Sequence, residues 1–66
     1  MTTKEIGEII AKRRSQLKLR QSDLAEIAGL SERSLRDIEH GKANPELESI
    51  LNICNALGLK IEVTTG

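Results

Sequence analysis

Gln21-Ser22-Asp23-Leu24-Ala25-Glu26-Ile27-Ala28-Gly29-Leu30-Ser31-Glu32-Arg33-Ser34-Leu35-Arg36-Asp37-Ile38-Glu39 decides the fold of this 66-residue chain. Leu24, Ala25 and Ala28 share one face of a helix over about 21–28. Gly29 follows directly and suits the left-handed position that ends a helix. Ser31 offers its hydroxyl to a free backbone N–H and so starts a second helix. That helix runs to about Glu39 with Leu35 and Ile38 inward, and Gly41 stops it. Leu30 and Leu35 flank the cap as a hydrophobic staple. Two short helices joined by a Gly-containing turn form a helix-turn-helix pattern. Small Ala25 lets the two helices cross closely. Glu32, Arg33, Ser34, Arg36 and Asp37 are left on the outer faces of the second helix. Such a helix fits the major groove of duplex DNA and offers its N-terminal side chains to base edges.

The flanking segments supply support. A first helix runs from about Thr3 to Leu17, capped by Thr2 or Thr3. Ile6, Ile9, Ile10, Arg13 and Leu17 recur on one of its faces. Asn44 and Pro45 open a fourth helix, because proline at the first helical position gives up an N–H that has no partner there. Leu47, Ile50, Leu51, Ile53, Cys54 and Leu57 form its apolar stripe, and Gly58 ends it. Leu59-Lys60-Ile61-Glu62-Val63-Thr64 alternates apolar and polar residues with β-branched side chains, the period-two pattern of a strand. A lone strand after four helices has unpaired backbone groups. Pairing with its own copy about a two-fold axis satisfies them, so Leu59, Lys60, Ile61, Glu62, Val63 and Thr64 are expected to join a homodimer. The expected architecture is all-α, four helices with a short C-terminal strand pairing across a dimer. Residues 1–58 form the DNA-binding domain and 59–66 the dimerisation tail.

Composition narrows the function. A chain this short buries only roughly 60% of its unfolded surface and commonly needs a staple or a partner. Cys54 is the sole cysteine and His40 the sole histidine. An intrachain disulfide is excluded, and neither a metal site nor a cofactor is expected. Cys54 reads as core and His40 as a helix-end residue. No signal peptide or membrane span is legible, so a cytoplasmic protein is expected. Ser15, Ser22, Ser34 and Ser49 have no histidine partner, and no phosphate loop is present, so no enzyme is expected. Phe, Tyr and Trp are absent, which removes base stacking and with it recognition of single strands. Ten basic and ten acidic residues cancel. The basic ones nevertheless concentrate between Lys12 and Lys42, where Lys12, Arg13, Arg14, Lys18, Arg20, Arg33, Arg36 and Lys42 face five acids. That asymmetry suits a basic face on a neutral protein.

The set Arg13-Arg14 before Leu17, Leu19 and Gln21, Leu24-Ala25, Gly29-Leu30-Ser31, Ile38-Glu39 with Gly41-Lys42, Pro45 and Leu57-Gly58 resembles the lambda-repressor-like, or XRE, family. The resemblance covers about residues 5–58. It implies a lambda-repressor-like fold that binds a palindromic double-stranded operator as a homodimer. It places Glu32, Arg33, Ser34 and Asp37 on bases, and Gln21, Ser31, Lys42 and Asn44 on the DNA backbone, where the cations Arg20 and Arg36 are further candidates. Arg33 is the best match to a bidentate guanine contact. Arg14 and Glu39 match a buried ion pair, whose breakage on one side costs roughly 3–5 kcal/mol. The sequence departs from the family at Arg20, where a Thr, Ser or Asn cap is usual, and at Lys18, where Gly is common. Gly58-Leu59-Lys60-Ile61-Glu62-Val63 further resembles the tail of HipB-like antitoxins. That resemblance implies autoregulation of an operon and a HipA-like kinase toxin as partner. The alternatives are a stand-alone phage-type, Cro-like repressor and a helical protein-interaction module that does not bind DNA.

Overall fold

The computed structural model describes residues 1–65. Its elements are α1 (Thr3–Gln16), α2 (Gln21–Ala28), α3 (Glu32–Glu39) and α4 (Leu47–Leu57). Each begins or ends for a local reason. The Thr2 hydroxyl accepts from the Glu5 N–H at 3.1 Å while the Glu5 carboxylate accepts from the Thr2 N–H, also at 3.1 Å. These bonds satisfy donors that the first turn of α1 leaves free. Gly29 ends α2 at φ 72°, and the Leu30 N–H reaches back to the Ala25 carbonyl at 2.8 Å. The Ser31 hydroxyl caps α3 by accepting from the Ser34 N–H at 3.0 Å.

Ile10, Leu24, Leu35, Ile53 and Leu57 are fully buried and draw one side chain or more from every helix. α3 packs on α1 and α2, and α4 packs on the same two helices. The α2–α3 pair therefore rests on a platform of α1 and α4 rather than standing free. Arg13 ties the platform together, its Nε donating to the Leu57 carbonyl at the end of α4 at 2.9 Å. Gly7 lies against the end of α3. A Cβ there would collide with the Ile38 and Glu39 carbonyls, so the α1 backbone meets α3 directly. No helix among the described residues is long and apolar enough to cross a membrane.

Four expectations change. α4 starts at Leu47 with Glu46 as its cap, not at Pro45. Residues 43–46 instead run in without helical structure, and Ala43 packs against the core. Ile9 and Leu17 are 44% and 40% exposed, and Leu47 and Leu51 are exposed as well. Only Ile10 and Gly7 of α1 are fully buried, with Ile6 half-buried. The stripe on a helix touching two neighbours is narrower than the count of apolar residues suggests. Residues 59–65 hold no strand, because four helices offer no edge to pair with. The tail begins as the cap of α4, with the Leu59 N–H on the Cys54 carbonyl at 2.8 Å. Leu59 then packs against the core. Gly66 lies outside the described residues.

Lys18 carries the left-handed conformation after α1, at φ 59°. Its neighbour Leu19 donates to the Arg14 carbonyl at 3.1 Å, closing the helix end. A side chain in this conformation costs roughly 1–2 kcal/mol, part of which glycine returns as unfolded-state entropy. Lys18→Gly is expected to raise stability by about 0.5–1 kcal/mol in urea unfolding monitored by circular dichroism.

Candidate nucleic-acid interface

α3 divides cleanly. Leu35, Ile38 and Glu39 are buried, Asp37 is half-buried, and Glu32, Arg33, Ser34 and Arg36 are exposed. The exposed residues lie in the first turn and on the outer face, where an inserted helix would present them to a groove. The Ser31 hydroxyl, besides capping, donates to the Ser34 Oγ at 2.8 Å. That bond fixes both hydroxyls at the tip of the helix.

Arg20 and Gln21 stand at the start of α2. The Arg20 Nε lies 3.2 Å from Asp23 Oδ2, and its backbone N–H donates to the same oxygen at 2.9 Å. The Asp23 carboxylate thus satisfies the Arg20 N–H, while Arg20 itself gives α2 no side-chain cap. Hydrogen bonding to Arg20 holds the Asp23 carboxyl below the usual carboxylate range. The same bond, with the charges of Asp23 and Glu32, raises the Arg20 guanidinium. Arg20 and Glu32 are both exposed, at the starts of α2 and α3. Lys42 and Asn44 are exposed in the segment after α3. Gly41 makes that turn at φ 71°, close against α1: an added Cβ would sit 2.8 Å from the Lys4 Cα.

Behind this surface Arg14 and Glu39 form the expected ion pair. Nε donates to Oε2 at 2.7 Å and Nη2 to Oε1 at 3.0 Å. Their side chains are 16% and 4% exposed. Hydrogen bonding to Glu39 raises the Arg14 guanidinium further, against the opposing effect of burial. Gln21 joins the pair, with Nε2 donating to Glu39 Oε1 at 3.0 Å. Sequence reasoning missed this link because residues 21 and 39 lie 18 positions apart on different helices. The Arg20–Asp23 pair was open to it through the i, i+3 spacing. So was the seat for α3, since Gly7, Ile10 and Arg14 recur on one face of α1.

The remaining concave surface is apolar. A groove of about 220 Å³ between α1, α4 and the tail is lined by residues that include Ile6, Ile9, Ile50, Cys54, Leu59 and Ile61. Burial pushes the Cys54 thiol up, away from the reactive thiolate. No cluster of three or more His, Cys, Asp or Glu side chains that could hold a metal occurs among the described residues.

A capped helix packed on a helical platform, with its outer face free and cations around it, defines a DNA-binding helix-turn-helix domain. The chain belongs to the helix-turn-helix family of the XRE, lambda-repressor-like kind, whose model matches residues 9–63. The family is one of DNA-binding regulators, not a class of enzymes. The chain is similar to an immunity repressor protein of Bacillus phage phi105, 38% identical over 61 residues. That match covers 92% of this chain and 42% of the phage protein, so the chain spans under half of that relative's length. It is 32% identical to an HTH-type transcriptional regulator, y4mF, of Sinorhizobium fredii, covering 94% of this chain and 82% of that one. Among solved structures it resembles the restriction-modification controller protein C.AhdI of Aeromonas hydrophila. The TM-score is 0.83 at 28% identity, over 88% of each chain.

Asp23 holds Arg20 to itself, and an exposed pair of this kind is weak. Asp23→Asn keeps an oxygen for the Arg20 N–H and releases the guanidinium. It is expected to tighten binding to any duplex by about twofold to fivefold at low salt, with little sequence preference, by fluorescence anisotropy.

Proposed function

We propose that the protein is a transcriptional repressor that reads a palindromic double-stranded operator as a homodimer. One observation carries the reading. The exposed first turn and outer face of α3 are presented by the Ser31 cap, while the buried Leu35, Ile38 and Glu39 fix the helix from behind. Glu32, Arg33, Ser34 and Asp37 meet bases, with Arg33 bidentate to a guanine. Glu32 and Asp37 accept from cytosine amino groups, the pairing that makes an acid useful in a major groove. Arg20, Gln21, Ser31, Arg36, Lys42 and Asn44 hold the phosphates. Repression is supported by the likeness to the phage immunity repressor.

Residues 1–58 carry DNA binding and 59–66 carry dimerisation. Supporting this, Ile9, Leu47, Leu51 and Ile61 leave apolar surface on α1, α4 and the tail, elements that do not carry the base-reading residues. Val63 is 96% exposed, with no cover from its own chain. Pairing of residues 59–64 with their copy covers it and supplies the missing ladder. Half-sites would then lie one DNA turn, about 34–36 Å, or a multiple of that apart.

Two settings suit such a repressor. Similarity to the phage protein favours a stand-alone, phage-type repressor. The tail Gly58–Val63 favours an antitoxin that represses its own operon and joins a HipA-like kinase toxin. Co-purification of a kinase-like neighbour with the tagged protein selects the second; its absence selects the first.

Footprinting on the DNA upstream of its own gene is expected to show two protected half-sites. Arg33→Ala is expected to weaken binding to that site by about tenfold or more, while a scrambled duplex loses much less. Equal loss on both duplexes would move Arg33 from base to backbone. A duplex left unshifted at low salt would instead favour a protein-interaction module.

A further inference from the structure

We propose that Gln21 is a positioning residue for the reading helix, its side-chain amide locking the start of α2 to the end of α3 through the Glu39 carboxylate. The consequence for DNA rests on the reading above, whereas the lock belongs to the free protein. Gln21 is half-buried and its Nε2 donates to Glu39 Oε1 at 3.0 Å. An ionised carboxylate only accepts, so the amide must turn its nitrogen inward. The same carboxylate takes two bonds from Arg14, at 2.7 and 3.0 Å. The third Arg14 donor, Nη1, holds the Leu19 carbonyl at 2.9 Å. A continuous polar chain thus runs from α1, through the α1–α2 connection and the first residue of α2, to the last residue of α3.

Among the described residues, the Gln21–Glu39 bond is the one side-chain hydrogen bond between α2 and α3. The rest of their contact is apolar, built on Leu24, Ala25 and Ala28 against Leu35 and Ile38. Apolar burial is non-directional and sets how closely two helices approach. It tolerates a small rotation of α3 about its own axis. A hydrogen bond weakens steeply with angle and does not tolerate that rotation. The rotation of α3 decides which of Glu32, Arg33, Ser34 and Asp37 can reach a base edge. Gln21 therefore acts on specificity through Glu39. Its second amide N–H stays free for a phosphate oxygen, so both roles fit one side chain.

Thermal unfolding of the DNA-free protein between pH 5 and 8 tests the lock. Gln21→Glu sets a second carboxylate beside Glu39. Two carboxylates then share the one Arg14 guanidinium, and the repulsion it leaves uncompensated raises the folded pKa above the ordinary carboxylate value of about 4.3. Stability is then present at low pH and lost as pH rises. The variant is expected to melt below the wild type at pH 8 and to approach it at pH 5. Gln21→Lys keeps a donor and the wild-type midpoint. Gln21→Met lowers the midpoint by a similar amount at every pH. A Gln21→Glu curve parallel to the wild type across this range overturns the lock. The positioning role is read on the duplex upstream of the gene against a scrambled one. Gln21→Met is expected to cut their affinity ratio by about tenfold, the scale of one mismatched base pair. An unchanged ratio overturns positioning even if the midpoint falls. A wild-type protein that binds neither duplex overturns the DNA-binding reading instead, and the pH profile still decides the lock.

Discussion

The Arg14–Glu39 pair is the constraint on which the arrangement of the first three helices depends. It joins α1 to the end of α3, and its remaining donors and acceptors reach the α1–α2 connection and α2. A carboxylate 4% exposed is costly to bury unless its oxygens are fully bonded. Here both are, so the charge is tolerable and the geometry is demanding. The apolar core could accept several crossing arrangements of such short helices. The pair admits one, because only there do Arg14, Leu19 and Gln21 converge.

The same junction explains why glycine is needed inside α1. Gly7 lies one turn before Ile10 and two before Arg14, on the face that meets α3. A side chain there would strike the Ile38 and Glu39 carbonyls. Direct backbone contact brings α1 near enough for Arg14 to reach Glu39. The usual cost of glycine in a helix, about 0.5–1 kcal/mol, is offset by a close fit no other residue permits.

Much of this was legible in the sequence, for local reasons. Gly29 and Ser31 mark the turn because left-handed backbone and hydroxyl caps depend on adjacent residues. Leu24, Ala25, Leu35 and Ile38 declare their faces through spacing. The Arg14–Glu39 pair came from family pattern, not from spacing. What stayed hidden depends on neighbours distant in sequence. Ile9 and Leu17 look inward by period, yet α3 and α4 cover only part of α1. The Gln21–Glu39 bond needs the helix crossing before it can be seen. The tail has a strand's alternation, but alternation specifies a face, not a partner. In one chain Leu59 follows the hydrophobic instruction and packs on the core, while the ladder goes unformed. As for the site, exposure sorts the outer residues of α3 as the helical period implied. Which of them touches a base depends on the DNA.

A neutral DNA-binding domain poses its own problem, since phosphate attraction supplies essentially all non-specific binding. Here the cations are partly neutralised in place. Arg20 is held by Asp23, and Arg33 and Arg36 each have an acid as chain neighbour, Glu32 and Asp37. On any duplex these acids oppose the phosphates and are expected to weaken non-specific binding. On a matched site an acid that accepts from a cytosine amino group changes from a repulsive element to a contact. Specificity is a difference of affinities, and it grows as much from lowering the wrong one as from raising the right one. The acids beside the arginines are therefore consistent with DNA reading. In the proposed reading they shift its basis from total charge to the register of α3, whose last residue the Arg14–Glu39–Gln21 junction holds.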